Sequence, residues 1–345
     1  MMIAVLTCLV FVSCGESDDL DNNSVINGDL STRKVTIDGL IYYLYPDSHE
    51  AVIDNDNTWT GELDIPSKVS YNGLTFTVSS MTWLAFSDCT ELTKVRIPKT
   101  IEHVIHHVLT DNPENGGAVS SDCMNPFERC TALESIEVDD DNPIMKSVGG
   151  ILFSKDGKSL YCYPAGNKAE QYVVPEGVTK IGADAFGYNE HLVSLKLPAT
   201  VETLKGAFWG CKRLEEVNLP EKLTYLEAYM FAECSSLKSI EIPSGVKGLG
   251  ESVFRNCASL KTIILPESVQ TIGNYAFSGC MLDALVIKGT LDSQSADRYL
   301  FDGLNESAIV YVPVSEIERY KGLFTGSVLP LEDFVSEKAQ CSHNY

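Results

Sequence analysis

Positive charge is scarce in this sequence. Its 345 residues carry 26 Lys and Arg against 48 Asp and Glu, a formal net charge of −22. Nucleic acid and anionic lipid both demand clustered cations, so the balance opposes binding to either and excludes nucleic acid as a partner. Long apolar runs are missing too. The stretch from Ile3 to Val12 is ten residues, against the roughly 20 that a membrane-spanning helix needs. No Cys-x-x-Cys pair occurs, which removes the zinc and thioredoxin readings of a cysteine-containing chain. G-x-S-x-G, H-E-x-x-H and a phosphate-cradling glycine loop are all absent. Nothing singles out a pair of carboxylates for acid–base work. The chain therefore reads as non-catalytic, with no cofactor and no metal centre. Disorder is excluded as well, since 44% hydrophobic and 21% charged residues are the proportions of a folded protein.

What the sequence does contain is one phrase, repeated. Prolines 175, 198, 220, 243 and 266 are spaced 23, 22, 23 and 23 residues apart. Between them runs Pro-x-x-[Val/Leu]-x-x-[Ile/Leu], then a Phe, a Cys three residues later, a Leu three further on, and a strand-forming stretch into the next Pro. The aromatic column is Phe86, Phe127, Phe186, Phe208, Phe231, Phe254 and Phe277. The thiol column is Cys211, Cys234, Cys257 and Cys280, with Cys89 and Cys130 at the same place in earlier coils. A fixed period in the 20–29 range marks a solenoid, whose coils bury their apolar edges only against one another. The predicted fold is a β-rich leucine-rich-repeat solenoid of ~23-residue coils. A Cys at a fixed coil position acts as a small hydrophobe in a stack. Parallel Cβ vectors suit a disulfide poorly, so free thiols are expected.

Taken in order, residues 1–13 read as a secretory segment whose Ser13–Cys14 end resembles a bacterial lipoprotein signal, with Cys14 acylated. Residues 14–33 are an acidic, flexible tether. It resembles the signal that sends Bacteroidetes-type lipoproteins to the outer face of the outer membrane. Residues 34–80 form an N-terminal β cap, with Asn72-Gly73 a type I′ hairpin signal. Residues 81–288 are the solenoid, interrupted near 106–123 by an insertion of loop composition and near 139–170 by a hairpin turning at Asp156-Gly157. Residues 289–345 are a C-terminal cap and tail, containing the strand Ile309–Val312 and a short helix opened by a Ser315-x-x-Glu318 capping box.

The unit Ile-x-x-x-Ala-Phe-x-x-Cys-x-x-Leu-x-x-[Ile/Val]-x-[Ile/Leu]-Pro resembles the BspA-like leucine-rich repeat family of bacterial surface proteins. Asp38-Gly39-Leu-Ile-Tyr-Tyr, Gly149-Gly-Ile-Leu-Phe-Ser-Lys-Asp-Gly157 and Val310-Tyr-Val-Pro313 are similar too. The resemblance implies a right-handed horseshoe of short parallel strands, displayed at the cell surface, in a family associated with adhesion and host-protein binding. It implies a protein ligand, possession of a lipid anchor through Cys14, and no enzymatic role.

Two clusters invite a metal and lack the spacing for one. His103, His106 and His107 lie near Glu102, Asp111, Glu114 and Asp122, but Ile101 and Val104 read as strand positions, which turns His103 to solvent. Asp139-Asp140-Asp141-Asn142 lacks the glycine and distal glutamate of a calcium loop, and reads as an ordinary turn. The binding surface is expected on the strands, where inward residues alternate with outward ones. Its outward members include Lys94, Arg96, Glu137, Lys196, Glu216, Asn218, Glu241 and Ile264, basic at one end and acidic through most of the later coils. Two rival functions remain open. A glycan-binding or glycan-processing lipoprotein would need exposed Trp or Tyr platforms, whereas Trp59, Trp83 and Trp209 are scattered. A structural scaffold of the cell envelope would need none.

Overall fold

The computed structural model describes residues 32–54, 58–105, 125–292 and 299–334. Cys14, the acidic tether, the 106–123 insertion with four of its predicted metal-type residues (His107, Asp111, Glu114, Asp122) and His106, and the tail from Val335 lie outside them.

Most repeat strands are short because they end at or just before a proline, which has no N–H to donate to a neighbouring coil; Ser135–Val138 and Ala284–Ile287 end without one. They pair in parallel, coil upon coil. Gly61–Asp64, Leu92–Ile97 and Ser135–Val138 form one ladder segment. Gln171–Val173, Ser194–Lys196 and Glu216–Val217 form a second. Thr262–Leu265, Ala284–Ile287, Ile309–Val312 and Ser327–Pro330 form a third. A strand is also expected over residues 238–242. There Ile240 and Ile242 are buried as the alternation requires, yet the main chain joins no ladder. One coil earlier the Asn218 amide is bonded to the Leu197 main chain: Leu197 N–H donates to its Oδ1 at 2.8 Å and its Nδ2 donates to Leu197 O at 2.9 Å.

A second set of two- and three-residue strands follows each proline, including Lys180–Ile181, Thr203–Leu204, Tyr225–Leu226, Gly248–Leu249 and Thr271–Ile272. Before the regular coils, Arg33–Ile37, Leu40–Tyr45 and Glu50–Asp54 form an antiparallel sheet that continues into Leu74–Thr82. Lys68–Tyr71 turns back antiparallel onto Leu74–Thr82. Asn72 and Gly73 sit at φ 50° and 81°, the positive pair of a type I′ turn. The expected hairpin is also present, with Ile151–Ser154 antiparallel to Ser159–Cys162. The short helix Ile317–Lys321 forms, but not through the expected capping box. A 3-10 turn, Val314–Glu316, precedes it, and no side chain caps it.

Between the two strand sets the Phe and Cys columns hold the coils together. Phe208–Phe231 and Phe231–Phe254 stack at 5.0 and 5.5 Å between centroids. Tyr163 of the irregular hairpin fills the column's place beside Phe186 at 5.2 Å. Each thiol then reaches across one coil. Cys211 Sγ donates to Phe186 O at 3.0 Å, Cys234 Sγ to Phe208 O at 3.1 Å, and Cys257 Sγ to Phe231 O at 3.1 Å. The thiol is a second donor to each carbonyl, which also accepts a main-chain N–H of its own coil: Asn189 N–H to Phe186 O, Cys211 N–H to Phe208 O and Cys234 N–H to Phe231 O. The Phe186 coil has Asn189 instead of Cys, fully buried and bonded to Pro164 O, Asn167 O and the His191 and Leu192 amides.

Two residues beyond each Phe the chain turns left-handed, from Asp88 (φ 64°) through Tyr188 (60°), Gly210 (74°) and Asn256 (59°) to Gly303 (77°). Glycine is demanded at Gly210, where a Cβ would also lie 2.9 Å from the Tyr188 ring.

Two expectations follow. Phe231 is fully buried between two stacked rings, so Phe231→Ala will lower unfolding stability by about 3–5 kcal/mol. Urea titration checks it, and a loss below about 1 kcal/mol would contradict the stacked-coil packing. Burial pushes the Cys211 thiol up to about 12 and raises Cys234 and Cys257 well above the usual range. Native protein at pH 8 will leave these thiols unmodified by an aromatic disulfide reagent, and urea-unfolded protein will react at all of them. Peptide mapping of the adducts distinguishes these sites from the cysteines outside the array.

Candidate functional site

The first ladder segment brings five charged side chains to one place. Lys94 and Arg96 point outward from Leu92–Ile97, and Glu137 from Ser135–Val138, as the alternation requires. The preceding strand, Gly61–Asp64, adds Glu62 and Asp64 beside them. Arg96 spans three carboxylates, with Nη1 on Asp64 at 2.5 Å, Nε on Glu137 at 2.9 Å and Nη2 on Glu62 at 3.2 Å. Lys94 pairs with Glu137 as well. Hydrogen bonds from Lys94 and then Arg96 hold the Glu137 carboxyl below its usual range. Each exposed pair alone adds little to stability, because solvent screens it. Their combined effect is to fix side-chain positions rather than to stabilise the fold. The expected basic end is thus not basic: two cations face three carboxylates. A strand from before the regular coils, unreadable from the repeat period, supplies the surplus. Beside this lattice a groove of about 350 Å³ runs over Ile65, Pro98 and Val138, bordered by Asp64, Arg96 and Asp139.

Further along, the expected outward residues have different fates. Lys196 and Glu241 are exposed, and neither makes an ion pair among the described residues. Glu216 accepts a hydrogen bond from Ser194 Oγ at 2.7 Å. Asn218 is committed to the Leu197 main chain. Ile264 is half-buried, and in the next two coils the same column is covered: Val286 is 0% and Tyr311 1% exposed. The Phe334 ring lies 5.1 Å from that of Tyr311. The ladder face therefore runs from charged to polar to apolar, and its apolar end is occupied by the chain's own C-terminal residues.

The described members of the two metal-type clusters have separate roles. His103 is exposed on the strand His103–Ile105 while Val104 is buried. Asp139 and Asn142 form turns, Asp139 Oδ1 accepting from the Asp141 amide at 2.9 Å and Asn142 Nδ2 donating to Pro98 O and Ile101 O at 3.0 Å. Among the described residues no three His, Cys, Asp or Glu side chains converge on a point that could hold an ion.

A row of aromatic residues on the flank, beside the Phe column, escaped the sequence reading. Trp209 lies tilted against Tyr188 at 5.8 Å and stacks on Tyr229 at 5.5 Å. The Arg129 guanidinium lies 5.4 Å from the Tyr188 ring centre and 5.8 Å from that of Trp209. Its Nε donates to Tyr188 Oη at 3.1 Å. The three rings sit at different offsets from their Phe (two after, one after and two before), so no column of the repeat pattern contains them. Both indole faces of Trp209 are covered, which leaves a sugar ring no flat surface there. Trp59 is half-buried with Nε1 donating to Glu62 O at 3.3 Å.

No helix among the described residues is long and apolar enough to cross a membrane. A search of curated proteins finds no match. Among solved structures, the pneumococcal vaccine antigen PcpA superposes with a TM-score of 0.50 at 17% identity, over 86% of this chain and 98% of its own. A leucine-rich repeat protein from Bacteroides ovatus gives 0.45 at 23% identity, over 86% and 76%. A leucine-rich cell surface protein from Faecalibacterium prausnitzii gives 0.39 at 19%, over 86% and 98%. The family described as "BspA type Leucine rich repeat region" matches residues 67–155 and 159–310 in six copies. The chain, with its coils stacked through Phe and Cys and its strands in parallel ladders, belongs to the BspA-type leucine-rich repeat family.

Proposed function

We propose that this protein is a non-catalytic, lipid-anchored binding protein of the cell surface. In this reading the array curves as a right-handed horseshoe, and its concave ladder face takes an extended segment of a host or neighbouring-cell protein. The observation that carries the reading is the ladder face itself: side chains that serve no packing role stand in register on successive coils. At one end Arg96 is fixed among Asp64, Glu137 and Glu62, so the surface is pre-ordered and little side-chain entropy is lost on contact. Lys196 and Glu241 supply unpaired charges of opposite sign further on, which suits recognition by charge pattern. The 106–123 insertion adds a loop to the same reading, because loops set on a rigid scaffold carry binding specificity.

A variant with Lys196→Glu, Glu216→Lys and Glu241→Lys tests the site without disturbing the Arg96 lattice. Against a panel of immobilised extracellular-matrix and cell-surface proteins, any partner captured by the parent will be bound at least about tenfold more weakly by the variant. Equal capture would remove the ladder face from the site. The anchor is tested separately. In cells, Cys14→Ala will abolish labelling by a fatty-acid analogue and move the protein from the membrane to the soluble fraction; unchanged labelling would exclude Cys14 as the acylated residue.

A further inference from the structure

The array is one residue short in a single coil, and a pocket opens there. Ile181 and Leu204 are direct ladder partners. Four residues separate Ile181 from Phe186, and four separate Leu226 from Phe231, but only three separate Leu204 from Phe208. The turn layer between strand and Phe must therefore span the same gap with less chain. The consequences are visible in the hydrogen bonds. In the regular coils the residue two before each Phe donates to the next coil: Tyr229 N–H to Glu251 O and Ser252 N–H to Asn274 O, both at 2.9 Å. Asp184 and Gly206 hold the same position and make no such bond. The Lys205 and Ala228 carbonyls consequently lack the donor that those of Glu251 and Asn274 receive. The post-proline ladder also stops here, ending at Thr203–Leu204 and restarting at Tyr225–Leu226.

The space left is a pocket of about 330 Å³, walled by Trp209 and Tyr229 and bordered by Asp184, Lys205 and Glu227, with Gly206 on its floor. Asp184 (φ 48°) and Tyr229 (φ 57°) hold the left-handed conformation that Ser252 (54°) and Tyr275 (57°) also hold two residues before their Phe. The side chains of Asp184, Lys205 and Glu227 make no hydrogen bond or ion pair with one another or with other described residues. The pocket thus presents aromatic walls, two carboxyl groups, two free carbonyls and one ammonium, that of Lys205: acceptors in excess of donors. The other side of the same aromatic row already holds a cation, the Arg129 guanidinium over Tyr188 and Trp209.

We infer that this pocket is a receptor for a cationic side chain, a lysine or arginine from a protein partner, seated beside Trp209 and Tyr229 and paired with Asp184 and Glu227. An ammonium has three donors and no acceptor, which matches the pocket's surplus. A sugar fits less well, because both indole faces are covered and a hydroxyl-bearing ligand needs donors as well. The pocket lies off the ladder face, so it can fail while ladder binding stands, and the reverse.

The site is sensitive to pH. Burial, with a smaller contribution from Glu128 and against the opposing Arg129, pushes the Asp184 carboxyl up to about 7. The charged and titratable groups around it are Glu128, Arg129, Tyr188, Lys205, Glu227 and Tyr229. Raising the pH through 7 ionises Asp184 and favours a cation; lowering it does the opposite.

The experiment uses the full chain labelled with 5-fluorotryptophan, with the Trp209 fluorine signal assigned by W209F. End-blocked Gly-Lys-Gly is titrated against end-blocked Gly-norleucine-Gly, its uncharged counterpart. The lysine peptide will shift the Trp209 signal saturably, and the norleucine peptide at least about tenfold more weakly. Asp184→Asn keeps a residue that tolerates the left-handed conformation. It will weaken lysine-peptide binding about fivefold or more at pH 8 and abolish the gain in affinity between pH 6 and pH 8. Equal shifts by both peptides, unchanged affinity in the Asp184→Asn variant, or a methyl glycoside binding more tightly than the lysine peptide would each overturn the assignment.

Discussion

No coil of this chain can bury an apolar face by itself, because about 23 residues enclose too little volume for a core. Stability therefore resides in the contact between successive coils, and one contact repeats in nearly every interval. A buried Phe ring stacks on the next, and the Cys three residues later donates its thiol to the Phe carbonyl of the preceding coil. Dispersion and burial supply the strength of this contact, while the thiol gives a main-chain acceptor in the interior a second donor besides the amide of its own coil. Proline ending, left-handed turn and short strand are accommodations to that spacing. Where the Cys is replaced by Asn189, the side chain still satisfies buried main-chain groups, four of them. The requirement is polar satisfaction at that point, and two chemistries meet it.

A structure held by repeated contacts has its specific features where repetition fails. The ladder face follows the period and is largely a solvated sheet, but its charge is decided by Gly61–Asp64, which lies before the regular coils. Arg96 would read as an exposed cation on any helical or strand diagram. With Asp64, Glu137 and Glu62 around it, it is the centre of an acidic lattice. At the opposite end Val286 and Tyr311 point the same way as Glu216 and are nevertheless buried, with Phe334 lying against Tyr311. The flank follows the same logic. A single missing residue between Leu204 and Phe208 interrupts one ladder, frees two carbonyls and opens a pocket beside Trp209.

Much of the array was legible because its period is a local property. The Phe and Cys columns, the inward positions such as Val95, Leu195 and Ile263, the Asn72-Gly73 hairpin and the exposure of His103 each depend on residues within one coil or one turn. Less legible were the features that need two coils at once. Asn218 looks like a free outward amide, and it is spent on the Leu197 main chain. Tyr163 fills the Phe column from within an irregular hairpin. The 22-residue interval among intervals of 23 was visible, and it was the one signal of the pocket, but its meaning appears only once Ile181 and Leu204 are seen to be partners.

The sequence alone determined the repeat, the identity of the stacking residues and the alternation along each strand, since these follow from side-chain volume and the two-residue period of extended chain. The tertiary structure alone decided which charges meet, which outward residues are covered and where a pocket opens. Electrostatic and packing partners sit about 5 Å apart in space while lying 20 to 60 residues apart in the chain. Composition and spacing carry no information about that juxtaposition; the stacking of one coil on the next creates it.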